Sequence, residues 1–501
     1  MAPSKNILLL IADDLGREQM SCYGAEVDIT PNLDRLAAAG TQFDYAFTST
    51  ASCSGSRTVV YTGTHTHENG NYGLCHGKNG FQTFSNVETA PLLFNNLGYK
   101  TGILGKIHVG PDSIYPWQVR EESESRNVAA IADRAEAFFR STKEEEKPFF
   151  LTVGFVDPHR QLQTRGGFGN VDGNYDPRLK DRIFSPEEIN VPSFLSDIRQ
   201  VRQEFAEYYR SIYRMDQGIG LILDALEREN LADDTLVLFI SDNGPPFLNS
   251  KTTLFEPGIR LPFLLRAPGT STPGGRNPQL VSYIDILPTF LDWAGASDKP
   301  SDPPPAGAPK RLGRSVLPVL NCAAPAPGWD RVFGSHTFHE ITNYWPTRFM
   351  RDRRYKYHRN VCWKLDFPFA MDLYASLSWE GMRNSGSAAA DGGRPAMVGP
   401  RPLRNYICRP PEELFDLEAD PLELDNLAGK EEHAGPLAEM RAALEAWQRQ
   451  TGDLWLWRDG APLMRYLSSN YAREGLRIPD RFDFDADRPA TDAAPSVPLL
   501  G

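Results

Sequence analysis

The side chains best suited to chemistry sit in a few short stretches. Asp13-Asp14 and Asp242-Asn243 each offer two adjacent oxygen donors. Hard divalent cations, calcium above all and also magnesium, take oxygen ligands, and an Asn carbonyl serves beside carboxylates. Asp and Asn also shape turns and cap helices, so either pair alone fits ordinary turn chemistry. Two such pairs at strand ends on one sheet edge favour a metal site. Another stretch is Ser52-Cys53-Ser54-Gly55-Ser56-Arg57, followed by Thr62-Gly63. A helix start there would attract an anion through its free N–H groups and dipole, with Arg57 adding a fork of donors. The same cysteine also suits a plain buried turn or a thiolate nucleophile. Thr64-His65-Thr66-His67 has the His-x-His spacing of a zinc site, but no carboxylate or cysteine partner is evident nearby.

These residues need strands and helices to position them. Ile7–Leu10, Thr101–Leu104, Phe149–Phe155 and Thr235–Ile240 read as buried strands, and three of them end in polar turns: Asp13-Asp14, Asp157-Pro158-His159 and Ser241-Asp242-Asn243-Gly244. Continuous apolar runs of this kind suit a parallel sheet covered on both faces. Between them lie helical patterns at Thr30–Leu36, with Pro31 at the first position, and at Arg57–Thr62, Ala129–Arg140 and Phe205–Glu229. Alternating strands and helices predict a doubly wound, mainly parallel α/β sheet, whose ligands bind outside the carboxyl ends of the strands. Beyond about residue 295 the composition changes. Pro- and Ala-rich Asp302–Pro309 and the Ala-, Gly-, Ser- and Pro-rich Ser385–Pro402 read as loops, Arg331–Ser335 and Arg354–His358 as short strands, and Pro436–Arg449 as an amphipathic helix. The expected organisation is a catalytic domain over 1–325, a smaller α+β C-terminal domain over 326–475, and a tail over 476–501.

The 501 residues are 41% hydrophobic and 24% charged, the balance of a folded globular protein. The net charge of −12 argues against broad nucleic-acid binding, so an anionic substrate needs a local cluster of cations. No apolar run reaches the ~20 residues of a membrane span. With no signal peptide evident, the expected location is cytoplasmic, or secretory or lysosomal if a leader is missing. Six cysteines without CxxC pairs do not make a disulfide scaffold.

Cys53 to Gly63 resembles the sulfatase motif Cys-x-Pro-Ser-Arg with its later Thr-Gly, except that Gly55 stands where proline is expected. The likeness continues in family order through Asp13-Asp14, Gly105-Lys106-x-His108, Asp157-Pro158-His159 and Ser241-Asp242-Asn243-Gly244. Asn71-Tyr72-Gly73, Gly105 to Pro111, Arg214 to Gly218, Val332 to Ser335, His339-Glu340 and Glu413 to Asp416 with Asp420-Pro421-x-Glu423 look like the heparan N-sulfatase (sulfamidase) branch. The resemblance covers roughly residues 5 to 455. It implies the alkaline-phosphatase-like fold and a cysteine, Cys53, oxidised to formylglycine by a formylglycine-generating enzyme. One hydroxyl of the hydrated aldehyde attacks sulfur, and the other collapses to expel sulfate. It further implies calcium held by Asp13, Asp14, Asp242 and Asn243. Arg57, Lys106, His108, His159 and Lys251 would form the cationic pocket, with His108 as base and His159 or Lys251 as acid. His67, His339, Glu340 and Arg348 are the expected substrate contacts, and the substrate is a sulfated small molecule or saccharide.

The expected activity is therefore hydrolysis of a sulfamate in an N-sulfated amino sugar, or of an O-sulfate ester as in an arylsulfatase. The rivals are a phosphate or phosphonate monoester hydrolase, and a non-catalytic oxyanion-binding module with an unmodified Cys53. Glycine at position 55 weakens the extended shape that proline gives the maturation signal. The oligomeric state is open, a homodimer included.

Overall fold

The computed structural model describes residues 5–77, 79–123, 125–173, 175–296, 305–386 and 393–456. The tail at 476–501, the last part of the C-terminal domain and parts of both loop-like stretches lie outside the described residues.

Eight strands form the main sheet: β1 (Asn6–Ala12), β2 (Thr41–Phe47), β3 (Lys100–Gly105), β4 (Val119–Glu122), β5 (Phe149–Gly154), β6 (Thr235–Ser241), β7 (Phe263–Arg266) and β8 (Gly275–Ser282). Their order is β4-β3-β5-β1-β6-β7-β2-β8. β7 runs antiparallel to both neighbours, and every other pairing is parallel. The mainly parallel sheet expected from the sequence is therefore present, with one reversed strand.

β1 is apolar along its whole length because both of its faces are covered. Leu8 and Leu10 pack on one side with Phe139, Phe205 and Ile212. Ile7, Leu9 and Ile11 pack on the other with Val59, Phe150 and Leu287. On the first side lie the helices Val128–Glu144 and Arg199–Arg228. The second of these buries Phe205, Tyr208, Ile212, Met215, Ile219, Ile222 and Leu226, a stripe at helical spacing. Asp216 on the same helix accepts hydrogen bonds from the backbone N–H groups of Asn32 (3.0 Å) and Leu33 (2.9 Å). It thereby caps the helix Pro31–Ala39, whose own Thr30 makes no side-chain cap.

The C-terminal region adds an antiparallel sheet of β9 (Arg331–His336), β10 (Thr347–Asp352), β11 (Tyr355–Asn360) and β14 (Glu412–Asp416), with a hairpin of β12 (Met397–Val398) and β13 (Arg401–Pro402) nearby. One face of this sheet packs Met350, Tyr357 and Leu414 on Leu437, Met440, Leu444 and Trp447 of the helix Ala434–Gln450. Toward the main sheet, Val332 and Phe349 meet Phe47, Leu254 and Leu280. Among the described residues no helix is long and apolar enough to cross a membrane.

Candidate active site

The carboxyl ends of β3, β5, β1 and β6, four neighbours in the sheet, converge on one place. β1 runs into Asp13-Asp14, β6 into Asp242-Asn243, β3 into Lys106 and His108, and β5 into Asp157 and His159. The glycines at two strand ends permit the close approach. A Cβ on Gly105 would sit 2.1 Å from the Gly154 carbonyl oxygen, and one on Gly154 would sit 2.1 Å from that of Lys106 and 2.8 Å from Arg57 Nη1.

Cys53 opens the helix Cys53–Thr62, four residues earlier than the sequence pattern places its start. Its buried Sγ lies 3.9 Å from Asp14 Oδ1 and 4.0 Å from Asn243 Oδ1. Burial, then the charges of Asp13 and Asp242, push the thiol well above its ordinary pKa. Ionisation of an unmodified Cys53 is therefore opposed by burial first and by the neighbouring carboxylates second.

Asp13, Asp14, Cys53 and Asp242 each bring one ligand atom within 4.8 Å of the others. Burial and the charge of Asp13 push Asp242 up to about 6 against the pull of Arg57. Burial also drives Asp14 up, opposed by Lys251 and reinforced by Asp13 and Asp242. Asp13 feels the same burial, but Lys106, His159 and Arg57 hold it below the usual carboxylate range. Asp13 Oδ1 is buried with no protein partner. Crowded carboxylates, an orphaned oxygen and an Asn side chain among them make a donor set that fits a hard divalent cation.

Around this acidic floor stand the cations. Arg57, fully buried, donates from Nε to Asp242 Oδ2 (2.8 Å) and from Nη1 to the Lys106 carbonyl (2.9 Å), while its Nη2 has no partner. Lys106 Nζ pairs with Asp13. Lys251 Nζ, also buried, donates to Asp14 Oδ2 (2.8 Å) and Asp372 Oδ2 (2.7 Å) and lies 3.1 Å from His159 Nε2. Burial lowers the pKa of Lys251, but Asp14 and Asp372 more than reverse this and hold it protonated. His159 Nδ1 is 2.7 Å from the Arg160 carbonyl oxygen, which can only accept, so Nδ1 carries the proton and Nε2 accepts from Lys251. Burial and the Lys251 charge push His159 down to about 3.

The backbone stores strain here. Asp14 (φ 68°), His108 (φ 58°) and Thr252 (φ 64°) all lie in the left-handed region, and Thr252 is β-branched. Tyr208 Oη holds the Asp14 carbonyl at 2.7 Å, and the Thr252 N–H is fixed on the Ala51 carbonyl at 3.0 Å.

Above the floor opens a cleft of about 660 Å³ lined by Cys53, Lys106, His108, His159, Lys251, His339 and Glu340, together with His76, Glu122, Arg126 and Asp372. His339 Nδ1 bonds Ser52 Oγ at 2.9 Å. Glu340 accepts from the Met371 N–H at 3.1 Å. Two expected substrate contacts lie elsewhere. Arg348 and Asp453 form a bidentate ion pair (2.6 and 2.8 Å) with both side chains fully buried. His67 is enclosed by Ser335 Oγ (3.2 Å), Thr451 Oγ1 (2.8 Å) and the Trp447 ring. Burial pushes His67 down to about 4, so it is a neutral interior histidine. The His65-x-His67 pair stacks ring on ring at 5.8 Å against Trp447 instead of converging on an ion. Asp372 and His76 were not evident from the sequence: no motif surrounds Asp372, and His76 follows a matched stretch that ends at Gly73.

The sulfatase family model matches residues 5–296 of the chain. The chain belongs to the sulfatase family. It is a hydrolase. It is 36% identical over 490 residues to human N-sulphoglucosamine sulphohydrolase, covering 93% of this chain and 94% of that one. An ulvan-active sulfatase of Formosa agariphila is 29% identical over 90% of this chain and 81% of its own length. Among solved structures, a complex of a protein with its substrate D-glucosamine-2-N,6-O-disulfate superposes with a TM-score of 0.62 at 21% identity, covering 90% and 98% of the two chains. The phosphonate monoester hydrolase of Agrobacterium radiobacter gives 0.64 at 20% identity, covering 90% and 96%. These likenesses confirm the alkaline-phosphatase-like fold.

Proposed function

We propose that this sulfatase removes the sulfo group from the nitrogen of an N-sulfated amino sugar such as N-sulfoglucosamine. The 36% identity to the human sulphohydrolase over nearly the full length of both chains carries the reading. The cleft supports it. Asp372 and Glu340 stand beside Lys251, so a departing amine would meet carboxylates able to hold it as an ammonium ion, whereas an alkoxide gains nothing from them.

Asp13, Asp14, Asp242 and Asn243 would hold calcium, and magnesium would suit the same oxygen donors. A bound ion would supply positive charge to draw electron density from the sulfo group and to settle the crowded carboxylates. Residue 53, converted from Cys53 by a formylglycine-generating enzyme, would supply a hydrated aldehyde as nucleophile. The remaining work falls to this chain's side chains. Arg57, locked by Asp242, offers its free Nη2 to an oxygen anion, and Lys106 adds charge beside it. His108, neutral because burial and Lys106 disfavour its cation, serves as base at its unpartnered Nδ1. Lys251, held protonated, is the acid toward the leaving nitrogen, while His159, accepting at Nε2, orients it.

Both parts of the chain contribute, residues 1–325 the metal and nucleophile and 326–475 the Asp372 side of the cleft. The test compares sulfate release from N-sulfoglucosamine, glucosamine 6-O-sulfate and an aryl sulfate with phenol release from an aryl phosphonate monoester, under one set of conditions. Preference for the sulfamate is expected, and faster turnover of an O-sulfate or phosphonate overturns the assignment.

A further inference from the structure

We infer that His76 and His108 form a two-histidine proton relay between the buried end of the cleft and solvent, with His76 as its outer member. His108 Nε2 lies 2.8 Å from His76 Nδ1, and the two rings stack with centroids 4.9 Å apart and planes 17° apart. The far nitrogen of the inner ring, His108 Nδ1, is buried with no protein partner. His76 is exposed and lines the same cleft as Cys53. One histidine therefore spans from the cleft floor to the other, and the other from there to water.

The loop bearing His76 is anchored on both sides. The Leu74 N–H bonds the His339 carbonyl at 2.8 Å, the Cys75 N–H bonds Ser54 Oγ at 3.1 Å, and Gln82 Nε2 bonds the Cys75 carbonyl at 2.6 Å. Ser54 follows Cys53 directly, so the outer histidine is registered against the helix that carries the reacting residue.

A bond between two neutral imidazoles requires one nitrogen to donate and the other to accept. With His108 protonated at Nε2, its Nδ1 is open to a proton from the attacking group. As that proton binds Nδ1, the Nε2–H bond of His108 breaks, a Nδ1–H bond forms on His76, and the proton on His76 Nε2 passes to water. The reverse passage restores both tautomers, and nothing is oxidised or reduced. The inference rests on the proposed role of His108 as base.

The test uses the full chain labelled with 15N-histidine, which has nine histidines to assign. Long-range 1H–15N spectra are expected to show His108 protonated at Nε2, and a proton on Nδ1 instead overturns the relay. Single turnovers of N-sulfoglucosamine provide the second readout. His76→Ala should slow the reaction about tenfold or more, with recovery on adding imidazole. His76→Asn keeps an acceptor near the Nδ1 position but has no second nitrogen to pass a proton onward, so it should be as slow as His76→Ala. Wild-type rates in His76→Asn would reduce His76 to positioning and overturn the relay. His108→Ala separates the two claims. An active His108→Ala removes the base assignment itself, whereas an inactive His108→Ala beside a fully active His76→Ala removes the relay alone.

Discussion

Asp372→Asn isolates the contact that joins the two parts of the chain at the site. The substitution keeps the shape and an acceptor oxygen but removes the charge 2.7 Å from Lys251 Nζ. At an effective dielectric of 20, two unit charges at that distance attract by about 6 kcal/mol before desolvation is counted. Breaking a buried pair from one side costs about 3–5 kcal/mol. Asp14 still faces Lys251, so about 3 kcal/mol is expected, with the Lys251 pKa lowered accordingly. The signs set a pH window. Lys251 is raised by its partners, so its share of the stability is complete below its unfolded pKa of about 10.4 and is lost as pH rises through the folded value. Asp372 feels burial, but Lys251 and then His159 hold it below its unfolded pKa of about 3.9; its share is present above that value and is lost as pH falls through the folded one. Urea unfolding followed by tryptophan fluorescence should show a constant deficit between about pH 5 and 9 that narrows outside that range. The alkaline limb of kcat should move to lower pH, because Lys251 releases its proton earlier. A deficit below about 0.5 kcal/mol with an unmoved alkaline limb would refute this account of Lys251.

Arg348→Ala strands Asp453 in the interior and should cost about 3–5 kcal/mol in urea unfolding. Its folded fraction should keep the wild-type KM, and a raised KM would return Arg348 to the substrate. Calcium is expected to raise the thermal midpoint of the wild type, and Asp13→Asn, which removes a carboxylate from the acidic floor, should abolish that rise. An undiminished calcium shift would place the ion elsewhere. Gly55→Pro would set a Cβ 2.9 Å from Thr50 Cγ2 and 3.3 Å from Thr66 Cγ2. It should destabilise the protein by about 1–3 kcal/mol in urea unfolding while raising the fraction of converted residue 53 seen by peptide mass. Unchanged conversion would clear Gly55 of weakening maturation.

The strand ends were legible because β1, β5 and β6 are apolar throughout and stop at polar turns, a pattern set by burial on both faces. Charge hid other elements. β10 carries Arg348, expected from the sequence as a substrate contact, and Arg351; Asp453 and Glu256 brought beside them let both be buried. β14 hides Glu413 in the same way behind Arg409. β8 contains Pro278, tolerated on an edge strand, with Asn277 and Gln279 satisfied by the carbonyls of Val319, Leu320 and Ala324. The helix at Cys53 begins in small residues of low helix propensity, so its apolar pattern shows only from Val59, and burial of the whole segment overrides propensity. The acidic residues Asp13, Asp14 and Asp242 with Asn243, and Lys106, His108 and His159 of the cleft, were legible within motifs. Asp372 was not, because its role arises from a fold-level contact with Lys251 121 residues away.

The most direct test of the central claim is the mass of the peptide containing residue 53, taken from protein purified from its native host. Conversion of the thiol to the aldehyde lowers that mass by about 18 daltons and, on hydration, would supply the proposed nucleophile. The account predicts the lighter peptide in protein that releases sulfate from N-sulfoglucosamine. Protein that releases sulfate while residue 53 remains entirely an unmodified thiol would contradict it.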